Sequence, residues 1–270
     1  RDVHWNSAWG WLIVLSGWID HWVTDLPLPR SIERMTLWLN PFVLMTLTIF
    51  ISSWVARRGG ALAGVFVAIA ITGHPRIYEG FFPSYVDHHG LLTLSVVALA
   101  LGSIFMGAGW WKAVDDHGAR LLPASPEMAR QAAVFSALSG AGGMWVSAAS
   151  VIPPIAIVGV SGLLTILIQG RNALRDGVIF DAGVWRIWGR VGAAASFGFY
   201  LLEYFPRHMG LQLAANHPFY SLAWLGGAEL IAQVGERWLA PGRVHRNSGR
   251  NLILALVAVS VAPLTILIGG

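Results

Sequence analysis

Four stretches of this chain run about twenty residues each without one charged side chain: Thr36–Ala56, Leu91–Trp111, 131–150 and 151–170. A helix needs about 20 apolar residues to cross the hydrocarbon core of a bilayer. Only helices and closed barrels satisfy their backbone polar groups there. The apolar stretches are solid blocks rather than alternating strands of about ten residues, so a barrel is excluded and a helical membrane protein is expected. Composition agrees: charged residues make up 12% of the 270 residues and hydrophobic ones 55%, where a soluble domain carries about 25% charge.

The expected fold is all-α, a polytopic transmembrane bundle of about eight spans plus an N-terminal interfacial helix, in a single transmembrane domain over 1–270. The five tryptophans of residues 4–23, interleaved with polar groups, suit the headgroup level of a membrane. Asp25–Arg34, with Pro27 and Pro29, reads as a connecting loop. The spans then run Thr36–Ala56, 61–73, Leu91–Trp111, 131–150, 151–170, 191–205, 218–234 and onward from Asn251. Pro153 and Pro154 fall near the fourth boundary, and 171–190 reads as a polar segment with aromatics. With Arg at residue 1 and an apolar run at the end, the chain reads as a fragment missing an N-terminal span and a C-terminal part.

Charge gives the spans a direction. The segments 57–60, 112–130, 171–190 and 236–250 hold 13 of the 18 Lys and Arg residues, and the opposite side holds 5. The rich set faces the cytoplasm by the positive-inside rule. The 74–90 and 206–217 loops are then expected on the opposite, periplasmic or extracellular side. The basic residues sit at helix ends rather than in one patch, so nucleic acid is not an expected partner. With no cysteine, thiol chemistry and disulfides are excluded.

The polar side chains concentrate on that outer face. Six of the nine histidines lie there, or seven with His4. Tyr85-Val86-Asp87-His88-His89-Gly90 opens a span and sets a carboxylate and two imidazoles in a row. Charge beside a bilayer is costly and usually functional, and carboxylate with imidazole suits a divalent cation. Asp87 alone could be a helix N-cap. Neighbours on a helix point about 100° apart, so one of the two histidines is expected to bind and the other to pack. Asp87 and His88 are the expected metal ligands, and Asp87, His88 and His89 the catalytic candidates.

Substrate-binding candidates are His4, Arg76, Glu79, Glu203, Arg207 and His217. Arg76 and Arg207 could hold phosphate with the guanidinium fork, though Arg76 could equally meet a lipid headgroup. Glu203 and Arg207 could simply pair at i, i+4. Asn216 is expected to cap the helix after Pro218. Glu229, deep in the seventh span, needs a partner or a water path. The Trp185, Arg186, Trp188 and Arg190 group reads as an interfacial belt. The letters Asp-His-His also mark a soluble phosphoesterase family, but this chain cannot build that α/β core.

The order of His4-Trp5-Asn6-Ser7, Tyr85 through Gly90, Trp145-Val146-Ser147, Leu202-Glu203-Tyr204 and Asn216 through Trp224 resembles the bacterial oligosaccharyltransferase-like membrane glycosyltransferases of the C-type superfamily. The resemblance implies a sugar or oligosaccharide donor carried on a polyprenyl phosphate or diphosphate. It implies catalysis on the outer face and a divalent cation, Mg²⁺ or Mn²⁺, held by acidic residues. Asp87 falls at the second acidic motif of that pattern; the first would lie upstream of residue 1. The peptide-binding Trp-Trp-Asp motif is missing, so the acceptor stays open. Two other readings remain. A transporter would gather its polar groups near the bilayer midplane, and a structural subunit would tolerate substitution of Asp87, His88 and His89.

Overall fold

In a computed structural model the chain is described over residues 8–85, 87–112, 122–206, 209–210, 215–239 and 248–269. It is almost wholly helical: α1 (Ala8–Thr24), α2 (Leu28–Gly59), α3 (Ala61–Gly73), α4 (Pro75–Tyr78), α5 (His89–Phe105), α6 (Pro126–Val146), α7 (Ala148–Arg175), α8 (Ala182–Glu203), α9 (Pro218–Leu239) and α10 (Ser248–Gly269). A two-residue antiparallel pair, β1 (Trp110–Trp111) and β2 (Ile179–Phe180), is the strand content among the described residues. Among these residues three helices are long and apolar enough to cross a membrane: Leu28–Gly59, His89–Gly109 and Ala148–Arg175. The bent pair Ala61–Gly73 and Pro75–Phe81, with an angle of 67°, makes a fourth if it counts as one span.

The chain forms two compact units, Arg1–Val97 and Ala98–Gly270, and α5 continues from one into the other. In the first, α1 lies on α2 with Gly17 against Ile32, and Arg34 pairs with Asp20. The other face of α1 is exposed at Trp11, Leu15, Trp18 and Trp22. Gly60 at φ 89° lets α2 turn into α3, a conformation open to glycine. Gly64 then sits where a Cβ would meet the Ser52 carbonyl at 2.8 Å.

The second unit is built from tryptophans set over glycines. The Trp185 ring covers Gly162 of α7, and Trp224 of α9 fills the space beside Gly192 of α8 and Gly140 of α6. Each indole needs the missing side chain opposite, as close helix packing in membranes requires. Trp185 Nε1 donates to the Ala108 carbonyl at 2.9 Å, and Trp188 Nε1 to Ser136 Oγ at 3.1 Å. Between α7, α9 and α10 lies an almost wholly apolar cavity of about 660 Å³, lined among others by Ile155, Gly159, Ala228, Ile231, Val259 and Ala262.

Several expected boundaries move. The loop read at Asp25–Arg34 shrinks because Pro29 sits within the first turn of α2, where its missing N–H has no helical partner to lose. The polar segment 171–190 is mostly helix, ending α7 at Arg175 and starting α8 at Ala182. Asp181 caps α8 by accepting from Gly183 N–H at 2.8 Å, and Arg130 pairs with it. Pro153 and Pro154 lie inside α7, and the break between the fourth and fifth spans falls earlier, at Ser147.

Candidate functional site

The loop before α5 is shaped by its backbone. Pro83 and Ser84 (φ 65°) occupy the middle of a turn closed by Tyr85 N–H donating to the Phe82 carbonyl at 3.0 Å. Pro followed by a positive φ is the type II pattern. Asp87 N–H then donates to the Tyr85 carbonyl at 2.8 Å. Gly80 and Gly90 touch backbone to backbone: a Cβ on Gly90 would meet the Gly80 carbonyl at 2.6 Å and the buried Phe81 ring at 2.7 Å. Two glycines and one turn therefore fix where Asp87 stands.

Asp87 holds both histidines. Its Oδ1 lies 2.8 Å from His88 Nδ1 and its Oδ2 lies 2.8 Å from His89 Nδ1, and Oδ1 also accepts the His88 N–H at 2.6 Å. The two rings stack with centroids 4.8 Å apart and planes 19° apart. The expectation that His88 and His89 diverge is corrected here. His88 precedes the first helical residue, so the helical 100° rule does not govern the pair. The N-cap reading of Asp87 also gives way: the first helical bond of α5 runs from Leu92 N–H to the His88 carbonyl at 3.0 Å, and the Asp87 carboxylate bonds the two rings and the His88 N–H. An ionised carboxylate only accepts, so both Nδ1 atoms carry protons in this arrangement. Burial pushes the His88 imidazole below its ordinary 6.5, against the opposing pull of Asp87.

As a cation site the three side chains offer one oxygen and two nitrogens within 4.8 Å of one another. Metal–ligand bonds of about 2.0–2.2 Å place neighbouring donors about 3 Å apart. The 2.8 Å separations, His88 Nδ1 from Oδ1 and His89 Nδ1 from Oδ2, are each close to that spacing but use different oxygens of Asp87. Mixed imidazole and carboxylate donors fit Mn²⁺ or Zn²⁺ better than Mg²⁺, which prefers oxygen.

The other candidates spread more widely. Arg76 on α4 and Glu79 just after it are exposed on the same loop and make no side-chain bond among the described residues. His4 and Arg207 lie outside the described residues. Glu203 and His217 belong to the second unit. Glu203 Oε2 accepts from Trp145 Nε1 at 3.1 Å. His217 is buried; its Nδ1 accepts from Phe219 N–H at 3.3 Å and its Nε2 faces the Met209 carbonyl at 3.4 Å. His217, not Asn216, therefore caps α9. Asn216 instead bonds Ser196 twice, accepting from its hydroxyl at 2.9 Å and donating to its carbonyl at 2.7 Å. Burial lowers the His217 pKa from its ordinary value.

Glu229 has its partner. Arg186 donates to it from Nε at 3.0 Å and reaches Glu236 from Nη1 at 2.7 Å, while Gln233 Nε2 donates to Glu229 at 3.0 Å. Arg186 thus binds across α8 and α9 rather than standing in an interfacial belt. Asn40 is the residue that sequence reasoning passed over. It lies 1% exposed in α2, and its Nδ2 donates to the Phe82 carbonyl at 3.3 Å and to the Tyr85 carbonyl. Its one sequence signal is an amide in an apolar run, next to Pro41. No family model, curated protein or solved structure matches the chain.

Proposed function

We propose that this chain is a membrane glycosyltransferase that moves a sugar or oligosaccharide from a polyprenyl-phosphate-type donor to an acceptor on the outer face of a membrane. The observation that carries the reading is the Asp87 carboxylate bonded to two stacked imidazoles at the mouth of a candidate span. The motif resemblance supplies the reaction class, and the second unit by itself holds an apolar cavity of about 660 Å³. The finer topology belongs to the same proposal. α6 has 21 residues and α8, α9 and α10 have 22 each, rising about 32–33 Å. With α2, α3 and its bent continuation, α5 and α7 they make eight spans, and α1 lies in the interface with its tryptophans toward headgroups. The outer loops face the periplasm of a bacterial inner membrane.

In this reading Asp87 orients both rings and takes part in holding a divalent cation, Mn²⁺ before Mg²⁺. A bound cation would neutralise the negative charge that gathers on the departing lipid phosphate. Asp87 accepts from both Nδ1 atoms and keeps a lone pair for the cation, so in this reading the acceptor proton goes to a ring nitrogen. His89, the more exposed ring at 57%, is the better placed. Arg76, exposed on the same loop, is the described candidate for the phosphate. Glu229 does not favour a transporter, because Arg186 and Gln233 already engage it.

The test is sugar transfer from a polyprenyl-linked donor by membranes carrying the protein, with and without Mn²⁺, beside Asp87→Ala. Loss of at least about a hundredfold in Asp87→Ala is expected. Unchanged transfer in that variant would sink the reading.

A further inference from the structure

The Asp87 cluster hangs from a short chain of bonds that starts in a different helix. Asn40 Nδ2 donates to the carbonyls of Phe82 and Tyr85, the two ends of the turn around Pro83 and Ser84. The Tyr85 carbonyl in turn accepts the Asp87 N–H at 2.8 Å. One carbonyl therefore links the Asn40 amide directly to the Asp87 backbone. The amide can face only one way: turned over, its oxygen would oppose two carbonyl oxygens. Its Oδ1 is buried and has no hydrogen-bond partner among the described residues. A leucine there would bury similar bulk without the unpaired oxygen, so stability alone does not call for an amide.

We propose that Asn40 is a positioning residue for the Asp87, His88 and His89 cluster, which it acts on through the Tyr85 carbonyl. The inference rests on the reading that this cluster is the functional site. Asn40 touches neither ring and is not a ligand. It removes the freedom of the turn, so the carboxylate and the two imidazoles are held in register before anything binds. Preorganised surroundings of this kind typically change metal affinity about 10–100-fold when removed.

The experiment compares the full chain with Asn40→Leu and Asn40→Gln in detergent, using Mn²⁺ alone as the probe. Three readouts are taken: Mn²⁺ affinity by electron paramagnetic resonance, the thermal midpoint, and hydrogen exchange of the Tyr85 and Asp87 amides. Asn40→Leu is expected to keep its thermal midpoint within a few degrees, lose about 10–100-fold in Mn²⁺ affinity, and exchange those two amides faster while the α2 amides stay protected. Asn40→Gln, with a donor on a longer stem, is expected to recover part of the affinity. A folded Asn40→Leu with wild-type affinity and unchanged exchange overturns the proposal. If the wild type takes up no Mn²⁺, the cation reading fails, and exchange of the two amides still judges Asn40 by the same criterion. If Asn40→Leu does not fold, the side-chain amide protons of Asn40 in the wild type decide. Exchange as slow as the α2 backbone amides supports the clamp, and solvent-like exchange overturns it.

Discussion

The two compact units use polar residues in opposite ways. In the second, several polar side chains are bound to one another across helices. Arg186 is bound to Glu229 and Glu236, and Asn216 and Ser196 bond each other twice. Ser221 adds its hydroxyl to Ser196 at 3.2 Å. These closed sets stitch helices together and leave little capacity for a ligand. In the first unit the Asp87 cluster sits on a loop, and its carboxylate bonds the two histidines that follow it in sequence. A ligand can replace the protons that join those rings to the carboxylate. The lesson concerns how polar residues in an apolar chain are judged. Their rarity marks them as costly, but whether their partners are saturated separates a structural pair from a site.

The largest effect should come from breaking the packing of the second unit where it is tightest. Trp185 is fully buried, and its ring fills the place of the absent side chain of Gly162. A rigid indole cannot retreat in a close-packed interior. Gly162→Val should therefore destabilise by about 3 kcal/mol or more, read as a large fall in thermal midpoint or failure to extract folded protein. If the comparison holds, any folded remnant keeps Mn²⁺ affinity, since the cluster lies in the other unit. A variant as stable as wild type would mean that the Trp185–Gly162 contact is not a determinant of packing.

A smaller effect isolates the polar half of the contrast. Glu229→Gln removes one charge from the Arg186 set while Glu236 still balances the guanidinium. Arg186 and Glu229 side chains are about a quarter exposed, at 26% and 28%, so the loss sits between surface and buried pairs, about 1–2 kcal/mol. Stability should fall with Mn²⁺ binding and sugar transfer unchanged per folded molecule. Loss of sugar transfer at full stability would instead make Glu229 part of the working site.

These regions were unequally legible in the sequence. Long uncharged runs gave the helices, because hydrocarbon length and backbone satisfaction leave no other solution. The Asp87-His88-His89 string stood out because ionisable residues are scarce around it. Helix ends were less legible. Arg171, Arg175, Arg186 and Arg190 suggested a loop, yet they lie on α7 and α8. Arginine can stay helical when its long stem carries the charge to a partner, as Arg171 does over Trp238 at 4.4 Å. The N-cap was misassigned between Asn216 and His217 because Ser196, twenty residues away in sequence, claims the asparagine. Asn40 could not be found at all: its partners Phe82 and Tyr85 lie more than forty positions on, and no local pattern announces them.

The smallest effect expected is a pH dependence, and it belongs to the second unit's cap. Burial holds the His217 pKa in the folded state below its ordinary 6.5, with the Met209 carbonyl pulling weakly the other way. The unfolded chain then binds the proton more readily than the folded one, so acid favours unfolding. The contribution of His217 to stability is fully present above about pH 6.5 and is lost as pH falls through the depressed folded value. Protonation also removes the Nδ1 lone pair that accepts the Phe219 N–H, so the cap of α9 opens in the same window. Thermal midpoints in detergent at pH 7.5 and 5.5 measure the sum over all groups, including His88, whose pKa burial also lowers. His217→Asn separates them, because asparagine is a good N-cap acceptor and does not titrate in this range. The variant should match wild type near neutral pH and lose less stability on acidification. An identical acid loss in both proteins would mean that the folded and unfolded chains bind the His217 proton equally, so that burial does not depress its pKa.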